Sequence, residues 1–187
     1  MLSSNAITSI EPHAFVGVSA DNIQLGSNQI EVIESEAFQD VTVTHTFDLT
    51  SNQLKTLKAR SFLHVSCSNL LMSGMKLSSL PSQAFSDVSV TESLRLNNNA
   101  IKSIKAEAFF SVRTKYLHLQ DNQMEVVEGK LFGGTSSSVS EALYLSNNHL
   151  TCLPSDLLDD ATIGQVTLDY NSLDVYPKFH IPNFGKM

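Results

Sequence analysis

Six histidines and two cysteines are the side chains of this sequence best suited to metal ligation or nucleophilic attack: His13, His45, His64, His118, His149, His180, Cys67 and Cys152. Their spacing argues against both. No pair of histidines has the helical or within-turn separation of a zinc site. No nucleophile elbow, glycine-rich phosphate loop or acid pair occurs. The nearest approach to a titratable constellation is His118 with Tyr144 and Arg95, which lacks a nucleophile and a metal set. No catalytic residue, metal or cofactor is therefore expected. What remains is non-covalent recognition. Arg95, Tyr116, His118, Tyr144, His149, Asp169 and Tyr170 crowd into the second half of the chain, and three of the four tyrosines are among them. Tyr and Arg bring large contact area with few rotors and a polar tip, the composition of binding hot spots.

A repeat must position those residues. Asn recurs, followed two places later by an aliphatic, at Asn5, Asn28, Asn52, Asn99, Asn122, Asn148 and Asn171, with Met75 in the remaining anchor place. Successive gaps are 23, 24, 23, 24, 23, 26 and 23 residues, so eight units of one period span residues 1–176. Aliphatic or aromatic residues hold the positions five and three before the anchor, as in Phe47 and Leu49 or Leu117 and Leu119. Others stand two and five after it, as in Ile101 and Ile104. Ten after the anchor runs a column of Phe15, Phe38, Phe62, Phe85, Phe109 and Phe132, ending in Leu158.

The two positions before the anchor alternate with polar residues, the period-2 signature of a short strand with one buried face. Asn28, Asn52, Asn99, Asn122, Asn148 and Asn171 can bond backbone groups of the turn and of the neighbouring coil, since the amide both donates and accepts. The Phe column fills the interior on the opposite side. No unit can bury this wedge alone, so the units must stack, with a strand spacing of about 4.8 Å.

The pattern, seen in LRLNNNAIKSIKAEAF and LHLQDNQMEVVEGKLF, resembles the leucine-rich-repeat family in its Phe-containing class of roughly 24 residues. The resemblance implies a right-handed solenoid shaped as a horseshoe, with short parallel strands on the concave face and a mostly irregular convex side. It also implies a non-catalytic module that binds a protein or glycoprotein ligand through the concave sheet. The alternatives are a scaffold subunit of a secreted assembly and an intracellular adaptor. In such a fold the positions six, four, two and one before the anchor, and one after it, face outward. The early units are bland there, with Gly26, Ser27, Thr50, Ser51, Ser73 and Gly74. The later units carry the Arg, Tyr, His and Asp residues named above.

Four departures from the family pattern matter. The column eight before the anchor reads Ala20, Thr44, Cys67, Thr91, Thr114, Ser140 and Ile163, which predicts a tighter, less oily corner. Met75 breaks the Asn column, and a backbone adjustment near Gly74, a bound water or a local misregister is expected to compensate. The longest gap places extra residues in Gly133–Ser140, read as an insertion on the convex side. No Cys-rich cap flanks the array, so the chain is expected to be a fragment, an incomplete gene product or a member whose ends are covered by a partner, end-to-end self-association included.

Composition excludes other classes. A net charge of −7 over 187 residues opposes nucleic-acid binding, which needs a basic stripe, and docking on anionic lipid. No apolar run approaches the roughly 20 residues of a membrane span. Two cysteines rule out a disulfide-stapled miniprotein. They lie about three coils apart, roughly 14 Å, too far for a bridge. There is neither a signal-peptide pattern nor an Asn-x-Ser/Thr sequon. The repeat class nevertheless places the chain outside the cell or on its surface, with the cytoplasm as the alternative.

Overall fold

The computed structural model describes residues 1–175, a parallel β-solenoid of about seven turns without a helix among them. Tyr176, which stands in the last aliphatic column, and the tail 177–187 lie outside the described residues. The coils are joined by ladders of parallel strands. The main ladder consists of Ser19–Gln24, Phe38–Asp48, Phe62–Leu71, Ser89–Arg95, Arg113–His118 and Ser137–Tyr144, continued by Ala161–Ile163 and Val166–Thr167. A second pairs the Phe positions in register from Phe15 to Phe132. The third joins two-residue strands such as Ser9–Ile10, Val32–Ile33 and Thr56–Leu57. The convex segments are short, as the resemblance implies, yet they too are hydrogen-bonded from coil to coil.

The interior follows the columns. Phe47, Leu49, Leu94, Leu96, Leu117 and Leu119 are buried, as are Ile30, Leu54, Ile101 and Ile104. Phe38, Phe62, Phe85, Phe109 and Phe132 are fully buried, and Phe15 is partly buried. Their rings run as one pile, with neighbouring centroids 5.0, 5.1, 5.1, 5.4 and 5.9 Å apart. The strand spacing brings each ring to its neighbour's face.

The coils turn at three corners, and most of these corners use a residue with positive φ. One ladder is Ser4, Ser27, Ser51, Gly74, Asn98, Asp121, Asn147 and Tyr170, directly before the anchors. A second is His13, Glu36, Arg60, Gln83 and Glu107, and a third is Gly17, Asp40, His64, Asp87, Ser111, Gly134 and Asp160. The left-handed conformation costs an ordinary L-residue about 1–2 kcal/mol. The stacked coils on either side hold it in place.

The anchors hold the first of these corners. Asn122 accepts from Ile101 N–H of the preceding coil at 3.1 Å and donates to Leu96 O at 3.1 Å and Leu119 O at 3.0 Å. Asn52 and Asn148 repeat the arrangement. At the interruption, Gly74 has φ +70°, in the same left-handed region as its counterparts in the other coils. The corner itself is kept, and the adjustment lies in the anchor bond, which falls on Met75 N–H here and on the N–H two places past the preceding anchor in the other coils. The glycine makes the corner free of strain where no anchor amide clamps it. Met75 itself is buried, and Asn99 reaches back to its N–H at 3.1 Å.

The corner expected to be tight and polar is instead aliphatic. Strand register aligns Ala20, Val43, Cys67, Val90, Thr114, Val139 and Ile163. Val43, Val90 and Val139 are buried, while Thr44, Thr91 and Ser140 are exposed. Counting back from the anchor goes astray because alternate coils carry one more residue between this column and the strand end. That residue forms the irregularities between Thr42 and Thr46 and between Val90 and Ser93. It is also why gaps of 23 and 24 alternate. Thr114 serves this apolar column by sending its hydroxyl back to Glu92 O at 3.2 Å and Tyr116 O at 3.1 Å. The further two residues of the long gap lie between Phe132 and Ser137, where Ser137 Oγ donates to Gly133 O at 2.9 Å.

Candidate functional site: the outward face of the main sheet

Strand pairing sets Gln24, Asp48, Leu71, Arg95, His118, Tyr144 and Thr167 side by side across the main sheet. A parallel row carries Asn22, Thr46, Asn69, Ser93, Tyr116 and Ala142. Alternation along each strand turns both rows away from the core.

Three rings gather in the middle of this face. His118 and Tyr144 stack with centroids 4.8 Å apart and planes 18° from parallel. Tyr116 lies 6.4 Å from Tyr144 and 6.3 Å from His118. All three are half-buried. Their neighbours Ser93 and Ala142 are buried even though they belong to an outward row. Burial holds His118 below the ordinary imidazole value, reinforced by the adjacent Arg95 charge and opposed by the Gln120 contact. The ring is therefore neutral at physiological pH.

Arg95 occupies the next place in the row and is exposed. Arg60 pairs with Glu36 at 3.3 Å, and Arg113 Nε donates to Ser136 O at 3.1 Å. The Arg95 guanidinium has no such partner among the described residues. Its in-row neighbours are Leu71 and His118, neither of which carries a negative charge.

The remaining expected residues stand apart from the rings. His149 and Asp169 are exposed, and Tyr170 is 85% exposed on a left-handed corner. No ring contact joins Tyr170 to the cluster among the described residues. The face thus divides into a ring cluster with Arg95 and a looser edge.

Sequence reasoning missed the polar row between them. Ser73 Oγ donates to Asn97 Oδ1 at 2.8 Å, and Ser146 Oγ to Thr167 Oγ1 at 2.8 Å. Asn147 donates to Asp121 at 2.7 Å. Gln120 Nε2 lies 3.5 Å from His118 Nδ1, while its Oε1 is shielded from solvent without a donor. The signal was available in the column two before the anchor, which reads Asn97, Gln120, Ser146 and Asp169. A second overlooked group, at a convex corner, is His64, whose Nδ1 is 2.9 Å from Asp40 and whose Nε2 is 3.8 Å from Asp87.

Neither cysteine is paired. Cys67 is buried, and burial pushes its thiol up to about 12, which makes it unreactive. Cys152 is exposed beside Val126, Gly129 and Pro154. No group of three or more His, Cys, Asp or Glu among the described residues is arranged to hold a metal. No helix among them is long and apolar enough to cross a membrane.

A family model for BspA-type leucine-rich-repeat regions matches residues 5–139 in six copies. No curated protein matches the chain.

Proposed function

We propose that this chain, which belongs to the BspA-type leucine-rich-repeat family, is a non-catalytic recognition module that binds a protein or glycoprotein ligand through the outward face of its main sheet. Leucine-rich-repeat arrays commonly act as protein-interaction modules, and the family is generally non-catalytic. The observation that carries the reading is the ring cluster of Tyr116, His118 and Tyr144 beside a guanidinium without a partner among the described residues. Several other cations are matched between coils, as in Glu31–Lys55, Glu92–Lys115 and Lys105–Glu128. A half-exposed aromatic cluster needs no such arrangement to fold, and it supplies area that a partner can desolvate. The extracellular or cell-surface placement expected from the repeat class is part of this proposal.

The test is a pull-down from extracellular fluid and from lysate of the source organism. It compares the parent with a variant carrying Arg95→Ala, Tyr116→Ala and Tyr144→Ala. The expected result is a partner retained by the parent and lost by the variant, with circular dichroism showing the variant folded. Identical capture by both would refute the assignment of this face.

A further inference from the structure

We propose that the ring cluster and Arg95 together form a seat for a carboxylate-bearing sugar residue, so that the recognised part of the partner is an acidic glycan. This rests on the reading of the main-sheet face given above and narrows it to a ligand chemistry.

The charge comes first. Arg95 lies on an acidic chain in which Arg60, Lys55, Lys105, Lys115 and Lys130 all find carboxylates in adjacent coils. Arg95 finds none. A guanidinium presents a planar fork of donors that fits a carboxylate with two parallel hydrogen bonds. The neutral imidazole beside it keeps this a single-charge site rather than a basic patch, matched to one carboxylate rather than to a polyanion.

The surroundings then separate a sugar from a protein side chain. Tyr and Arg also serve protein hot spots, but there they sit in well-packed, fully desolvated pockets lined by near-neutral contacts that exclude water. Near these rings the aliphatic outward positions are Leu71 and Ala142, and Ala142 is already buried. Most other positions carry amides or hydroxyls: Asn97, Asn98, Gln120, Ser146, Asn147 and Thr167. A pyranose combines the two features such a surface can satisfy. Its C–H face packs on an aromatic ring, and its hydroxyls both donate and accept. Gln120 adds an unmet acceptor at the foot of the cluster. A ligand hydroxyl that draws the amide outward would satisfy it. Arg95 and Tyr144 are two coils apart, about 10 Å, a separation that a disaccharide spans.

The absence of Trp makes the test direct, because intrinsic emission comes from four tyrosines of which Tyr116, Tyr144 and Tyr170 belong to this face. Titrate the chain with sialyllactose and digalacturonate, with lactose as the neutral control and a Glu-rich peptide as the acidic non-sugar control. A carboxylated sugar should bind at millimolar concentration or tighter, about tenfold or more above lactose. Binding should weaken with salt. Arg95→Ala should abolish the preference over lactose, Arg95→Lys should keep part of it, and both variants should melt like the parent. Failure of both acidic sugars to bind, equal binding of lactose, or preference for the peptide would each overturn the proposal. A pulled-down partner that still binds after its glycans are removed would overturn it too, while leaving the recognition reading intact. If neither the partner nor any probe distinguishes the triple variant from the parent, both readings fall.

Discussion

Replacing Met75 by Asn should stabilise the protein, although it puts a polar residue where a buried apolar one now stands. In the regular coils the anchor amide supplies an acceptor to the N–H two places past the preceding anchor. It also supplies donors to the carbonyls three places before both anchors. With Met75 in that place, Leu54 N–H, on a buried residue, has no partner among the described residues. Leu49 O and Met72 O each receive only one anchor amide, from Asn52 and Asn99. Gly74 already has the left-handed conformation an anchor requires. Satisfying Leu54 N–H is worth about 1–3 kcal/mol, and two further bonds add about 0.5–1.5 kcal/mol each. Against this stands lost burial of the Met side chain, about 1.5–3 kcal/mol. The balance favours Met75→Asn by about 1–2 kcal/mol, taking mid-range values. The assay is urea unfolding, with a rise in midpoint at unchanged slope. The opposite substitution, Asn122→Met, should cost about 1–3 kcal/mol because Ile101 N–H loses its acceptor. A Met75→Asn variant that unfolds at lower urea than the parent would refute this account of the anchor column.

Phe85→Ala removes a fully buried ring from the middle of the pile and should cost about 3–5 kcal/mol, read as a lowered melting temperature. An unchanged melt would remove Phe85 from the core. Native protein should react with one equivalent of a thiol reagent, at Cys152, and with a second only after unfolding, since Cys67 is buried with its pKa pushed up to about 12; rapid modification of both would contradict the burial. His118 has a folded pKa below the ordinary 6.5. The unfolded chain therefore takes up the proton first, and the contribution of this residue is present above about 6.5 and lost as pH falls below it. His118→Gln should thus gain in stability relative to the parent as pH drops from about 7.5 to 5, and a difference that stays constant with pH would show that His118 titrates alike in both states.

Much of this fold is legible in the chain because a solenoid is close to one-dimensional. A residue at a fixed offset meets the same offset in the next coil, so the periodicity alone groups Phe38, Phe62 and Phe85, or Arg95, His118 and Tyr144, in rows. The long gap is also traceable, because Gly133 and Gly134 open the segment that carries the extra residues. Legibility fails where an offset is not constant. The additional residue in alternate coils hides Val43, Val90 and Val139 behind Thr44, Thr91 and Ser140, and only strand register reveals which of each pair is inside.

The sequence by itself determined the period, the family, the buried columns at constant offset from the anchor and the row in which the candidate site lies, because these depend on residue type and count along the chain. Tertiary structure decided the rest. It chose the three left-handed corners, since residues as unlike as Ser51, Glu36 and His64 adopt that conformation only when coils on either side hold them there. It separated the ring cluster from His149, Asp169 and Tyr170, because row membership does not specify side-chain direction. And it left Arg95 without a partner among the described residues while Arg60 found Glu36 and Arg113 found Ser136 O, a difference set by which groups the neighbouring coils bring within reach.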